Sequence, residues 1–141
     1  APVFAFNRIG QSPIRVRGAV EQPDVVVVLD PGLLRIMDVT LGIKEGGVVI
    51  INTKEQLDDI KSEFVIKQRL ATVDATAIAR EILGLPITNT TMLGALIRAT
   101  GVVKLESLSE PLEHRFGKLA SKNIEACKKA YEQILIGGEN A

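Results

Sequence analysis

Two runs of β-branched residues constrain this chain more than anything else in it. Asp24–Asp30 reads DVVVVLD and Gly47–Asn52 reads GVVIIN. Neither alternates apolar with polar residues, as a half-solvated strand would. Near-continuous Val and Ile runs of this length mark strands covered on both faces, which are the strands of parallel sheets. A helical segment over about Pro31–Leu41 separates the two runs, with Pro31 suited to a first helical turn. A weaker helical stretch at Glu55–Phe64 leads to a third, shorter strand at Arg69–Asp74. Strands joined by helical crossovers pair in parallel. The fold class is therefore α/β, a mostly parallel, Rossmann-like sheet with flanking helices.

The flanks of this centre read differently. Val3–Ile9 and Ile14–Val20 have strand patterning about the turn residues Gly10-Gln11-Ser12-Pro13, which predicts an N-terminal antiparallel β-hairpin. Alternation puts Arg15 and Arg17 on one face of its second strand. After Asp74 the chain is helical. Asp74 or Thr76 caps a helix with Ile78, Ala79, Ile82 and Leu83 on one stripe, and Gly84 and Pro86 end it. Thr88 or Asn89 caps the next, with Met92, Leu93, Leu96 and Ile97 as its stripe and Gly101 as its stop. Ser107-Leu108-Ser109-Glu110 has capping-box spacing, and Leu105, Leu108, Leu112 and Phe116 share a face. Ala120, Ile124, Cys127, Tyr131 and Leu135 define a last amphipathic helix, ended by Gly137-Gly138.

At 141 residues the whole chain, 1–141, reads as a single α/β domain. Hydrophobic residues are 46% and charged residues 24%, ordinary globular values. Lys+Arg 17 balance Asp+Glu 17, so net charge gives no case for nucleic acid or an acidic membrane surface. One cysteine excludes an intrachain disulfide, and one histidine beside it argues against a zinc site. The longest purely apolar stretch is Val25–Leu29, far below a membrane span, and the expectation is a protein without a secretory leader in a cytoplasmic setting. The chain opens Ala1-Pro2-Val3-Phe4 without an initiator Met and enters a strand pattern at once. Residues upstream of Ala1 are expected.

Chemistry in a parallel sheet sits outside the carboxyl ends of its strands. Here those ends carry Asp30, Asn52-Thr53 and Asp74-Ala75-Thr76, which suit either a ligand or ordinary helix capping. Thr88-Asn89-Thr90-Thr91 opens a helix, where free amides and the positive dipole end suit phosphate or carboxylate; capping is the competing account. Gly94, Ala95 and Ala99 keep that helix slim enough for a close neighbour. Arg8, Arg15 and Arg17 read as a solvated face sooner than an anion patch. His114 reads as an exposed helix residue and Cys127 as core. No Gly-x-Gly-x-x-Gly or P-loop pattern is present, no catalytic pair of carboxylates stands out, and no catalytic or metal-ligating set is assigned to this chain.

Ala1–Ile9, Pro13-Ile14-Arg15-Val16-Arg17 and Pro23–Asp30 together resemble the gamma subunit of 2-oxoacid:ferredoxin oxidoreductases. The resemblance continues through Gly46–Thr53, Ala71–Thr76, Thr88–Ala95, Gly101–Leu108 and Lys118–Tyr131, in order and without large insertions. The Arg-bearing second strand and the Val run ending in Leu29-Asp30 resemble the pyruvate branch most. The resemblance implies a reversible conversion of pyruvate and coenzyme A to acetyl-CoA and CO2, with two electrons passed to ferredoxin. It implies alpha, beta and delta-type partner subunits that carry thiamine diphosphate and iron–sulfur clusters, with coenzyme A held partly by this domain. Two coenzyme A contacts carry over by position: Asn89, in the Asn-Thr-x-Met-Leu-Gly stretch, and Asn123, in Lys-Asn-Ile-Glu-Ala. A neutral amide can donate to phosphate oxygens and exchange bonds with pantetheine amides. The family also uses a Gly-Gln-Gly loop in a strand–loop–helix unit near its N-terminus. This sequence has no such loop, in keeping with residues upstream of Ala1. The alternatives are a stand-alone α/β nucleotide-binding or regulatory module, a purely structural assembly subunit, and a gamma subunit for 2-oxoisovalerate or another 2-oxoacid.

Overall fold

The computed structural model describes residues 2–138. Its centre is a four-stranded sheet in the order β1-β2-β3-β4. Strands β1 (Val25–Val28), β2 (Val48–Asn52) and β3 (Arg69–Val73) are parallel, with Val25 opposite Val48 and Val48 opposite Arg69. The two-residue β4 (Leu135–Ile136) runs antiparallel to β3, Leu135 facing Thr72.

Strand alternation divides the core into two layers, one on each face of the sheet. Val48 and Ile50 of β2 join Ala71 and Val73 of β3 under α2 (Ala75–Leu83), α3 (Asn89–Thr100) and α5 (Ala120–Gln133). Val49 and Ile51 face the other way, with Val28, Leu34, Ile60, Ile66 and Leu70, beneath a 3-10 turn at Pro31–Arg35 and α1 (Leu57–Glu63). Every residue of β2 is buried. That is why GVVIIN carries no polar face: β2 has a neighbouring strand on each side and a layer on each face. α4 (Ser109–Phe116) packs on α5 outside this frame.

α3 and α5 form the most extensive helix–helix contact. Gly94 makes it possible, because a Cβ at that position would overlap the carbonyl oxygen of Cys127. Ala126 and Ala130 of α5 pack with Ala95 and Ala99 of α3 in the same layer, so small side chains line both helices.

Five expectations from the sequence are corrected. Residues 2–20 are exposed over nearly their whole length and form no strand, so the N-terminal hairpin is absent; Arg8 instead reaches back and donates to the Ala19 carbonyl at 3.0 Å. Val3, Phe4, Phe6, Ile9, Ile14 and Val16 lie exposed, and without a layer to cover one face a two-stranded hairpin is barely stable. The Pro31–Leu41 helix shrinks to the 3-10 turn at Pro31–Arg35. The Ser107–Glu110 capping box does not form: a 3-10 turn at Leu105–Leu108 leads directly into α4, whose cap residue Leu108 has no side-chain bond. The last helix stops at Gln133, because Ile134 turns extended (ψ 137°) and sends Leu135–Ile136 into the sheet. The buried face of α5 is Ala120, Asn123, Ala126, Cys127 and Ala130, one step around from the stripe through Ile124 and Tyr131. Ala1 and 139–141, the ends of the single-domain reading and the first residue of the resemblance, lie outside the described residues.

Candidate functional site

Two places carry the polar residues singled out by the sequence. The first is a cleft of about 650 Å³ at the carboxyl ends of the parallel strands, with Asn52, Thr53, Asp74 and Thr76 on its floor and Arg35, Phe64 and Arg80 among its walls. Its polar floor is used by the fold. Asn52 Nδ2 donates to the Leu29 carbonyl and to Thr76 Oγ1, both at 2.9 Å. Asn52 Oδ1 accepts from the amides of Ala75 (2.9 Å) and Thr76 (3.3 Å). Asp74 Oδ1 accepts from Ala77 N at 3.0 Å. The first amides of α2, which would otherwise suit a phosphate, already have partners. Asp30 likewise accepts from Gly32 N at 2.9 Å and starts the 3-10 turn. At the wall Arg35 pairs with Glu63 at 3.0 Å and lies over the Phe64 ring. The capping account therefore describes Asp30 and Asp74, while Asn52 holds the first amides of α2 from the end of β2 and Thr76, inside α2, only accepts from Asn52.

The second place is the α3–α5 contact, which brings Asn89 and Asn123 to one helix pair. Asn89 is the first residue of α3 and is exposed; its Oδ1 accepts from Thr90 N at 2.9 Å. The cap position itself is Thr88, which makes no side-chain bond. Asn123 is buried, 7% exposed, and its Nδ2 donates to the Leu119 carbonyl at 2.9 Å. A stripe through Ile124 and Tyr131 would leave Asn123 off the core; instead it lies on the buried face of α5, one turn before Cys127. Cys127 is 1% exposed, and its thiol donates to the carbonyl of Thr90 at 3.0 Å, fastening α5 to the first turn of α3. Burial pushes the Cys127 thiol up to about 11. Beside it, Thr91 Oγ1 is buried without a hydrogen-bond partner among the described residues. The sequence reading missed Thr91 as a core residue, although Thr91, Ala95 and Ala99 share the slim face of α3. Neither Asn89 nor Asn123 lines the cleft at the strand ends.

His114 is exposed on α4, as expected. No helix among the described residues is long and apolar enough to cross a membrane.

Residues 1–133 match the family described as Pyruvate ferredoxin/flavodoxin oxidoreductase. The pyruvate/ketoisovalerate oxidoreductases common subunit gamma of Thermococcus litoralis is 51% identical over 138 residues, covering 96% of this chain and 75% of that protein. Pyruvate synthase subunit PorC of Methanothermobacter marburgensis is 46% identical over 139 residues, covering 98% and 75%. The crystal structure of the pyruvate oxidoreductase subunit PORC from Thermotoga maritima superposes with a TM-score of 0.77 at 35% identity, over 84% of this chain and 67% of that one. The superposition carries the mostly parallel sheet and the helical C-terminal part together. The chain belongs to the pyruvate ferredoxin/flavodoxin oxidoreductase family.

Proposed function

We propose that this chain is a gamma subunit that helps hold coenzyme A in a multi-subunit enzyme. The enzyme converts pyruvate and coenzyme A reversibly to acetyl-CoA and CO2 and passes two electrons to ferredoxin. Alpha, beta and delta-type subunits supply thiamine diphosphate and iron–sulfur clusters, and the assembly works in the cytoplasm. The chain's own cysteine suits no cluster: Cys127 is buried and its thiol is engaged with Thr90. The relative from Thermococcus litoralis is named as common to pyruvate and ketoisovalerate enzymes, which favours a gamma chain that does not select the 2-oxoacid.

The observation that carries the coenzyme A reading is the setting of Asn89, exposed at the first turn of a twelve-residue helix. The positive end of that helix favours phosphate charge, and the Asn89 amide nitrogen is a suitable donor to it. Asn123 comes to the same helix pair but is engaged with Leu119, so its share depends on its amide exchanging that bond for one to the ligand.

The test is coenzyme A affinity of the assembled enzyme, by calorimetry, with melting measured beside it. Asn89→Ala and Asn123→Ala each remove a polar contact worth about 0.5–1.5 kcal/mol, which is roughly a 2- to 13-fold loss of affinity. Capping alone predicts lost stability with affinity unchanged. Unchanged affinity in both variants overturns the binding assignment and leaves an assembly role.

A further inference from the structure

We draw no further inference here: the strongest candidate, the open outer edge of β1 together with the exposed apolar side chains of residues 2–20, has nothing in the structure that shows what covers it.

Discussion

At Asn52 a single amide makes four hydrogen bonds, to the end of β1 and to the first turn of α2. Removing it leaves the buried amide of Ala75 without its partner and cuts the tie to Leu29. Asn52→Ala is expected to cost about 3 kcal/mol, since an unpaired buried polar group costs roughly 1–3 kcal/mol. Thr76→Ala removes one side-chain acceptor and is expected to cost only about 1 kcal/mol; urea midpoints of the two variants check the ratio. Cys127 gives a second prediction. A free thiol titrates near 9.0, and burial raises this one to about 11. Between those values the folded state keeps a proton that the unfolded state has lost. Its contribution is fully present below about pH 9 and disappears as pH rises towards 11. Cys127→Ser, whose hydroxyl does not titrate there, should lose less stability over that interval than the parent chain; equal slopes in alkaline urea titrations would refute the assignment. Polar residues at strand ends were legible in the sequence, and so was the choice between ligand and cap. What decided it was not: the amide of Asn52 is pinned from two elements 23 and 24 residues away in sequence. The stripe through Ile124 and Tyr131 points one step away from the face that α5 buries, which includes Asn123. Ala120, Ala126 and Ala130, opposite a helix carrying Gly94, were the signal for where the close contact lay.

The strands were the most legible elements, because a run covered on both faces leaves no ambiguity of register face: β2 and β3 fall within a residue of their expected ends. The short helices were less legible. Beyond Arg35, the β-branched Val39-Thr40 and Gly42 (φ +82°) are poor helix formers, so the segment ends after the 3-10 turn. The hairpin reading failed for a reason of layers: Arg15 and Arg17 alternate with Ile14 and Val16, but alternation forms a strand only where something covers the apolar face. The end of α1 holds a prediction that no pattern showed. Phe64 N closes the last helical bond to the Ile60 carbonyl, and Ile66 N bonds to the Lys61 carbonyl, both at 3.1 Å; the second is the 6→1 bond of a Schellman-type ending, with Val65 at its left-handed position. Val65 has φ +50°, which a β-branched residue adopts at a cost of about 1–2 kcal/mol. The turn persists because it drives Ile66 into the layer under α1, where it is 3% exposed, while the Val65 side chain remains in solvent. Val65→Gly is therefore expected to raise stability by about 1 kcal/mol despite the greater freedom of the unfolded glycine. A lowered thermal midpoint for that variant would contradict the strain account.

The two edges of the sheet are unequal, and this sets how the molecule behaves as a whole. On one side β4 covers β3 and is only two residues long, a short edge that offers little for another strand to pair with. On the other, β1 presents four consecutive valines with no Pro, Lys or Arg among them, guarded only by Asp24 and Asp30 at its ends. Val27 there is 37% exposed, and Leu29 just beyond is exposed as well. Residues 2–20 add further apolar surface, with Phe4 and Phe6 stacked against each other in the open. Exposed apolar surface beside an unpaired strand edge is an association hazard. With 17 cationic and 17 acidic side chains, no net charge near neutral pH opposes it. The chain by itself is therefore expected to self-associate with rising concentration, most strongly near neutral pH and less as net charge grows on either side. Val27→Lys places a charge on the edge at a position already open to solvent, so it should reduce association while costing about 1 kcal/mol or less in stability. Sedimentation of the parent chain and the variant over a range of micromolar concentrations checks this. A parent chain that stays monomeric throughout, at neutral pH, would show that the β1 edge and the exposed residues 2–20 do not drive association.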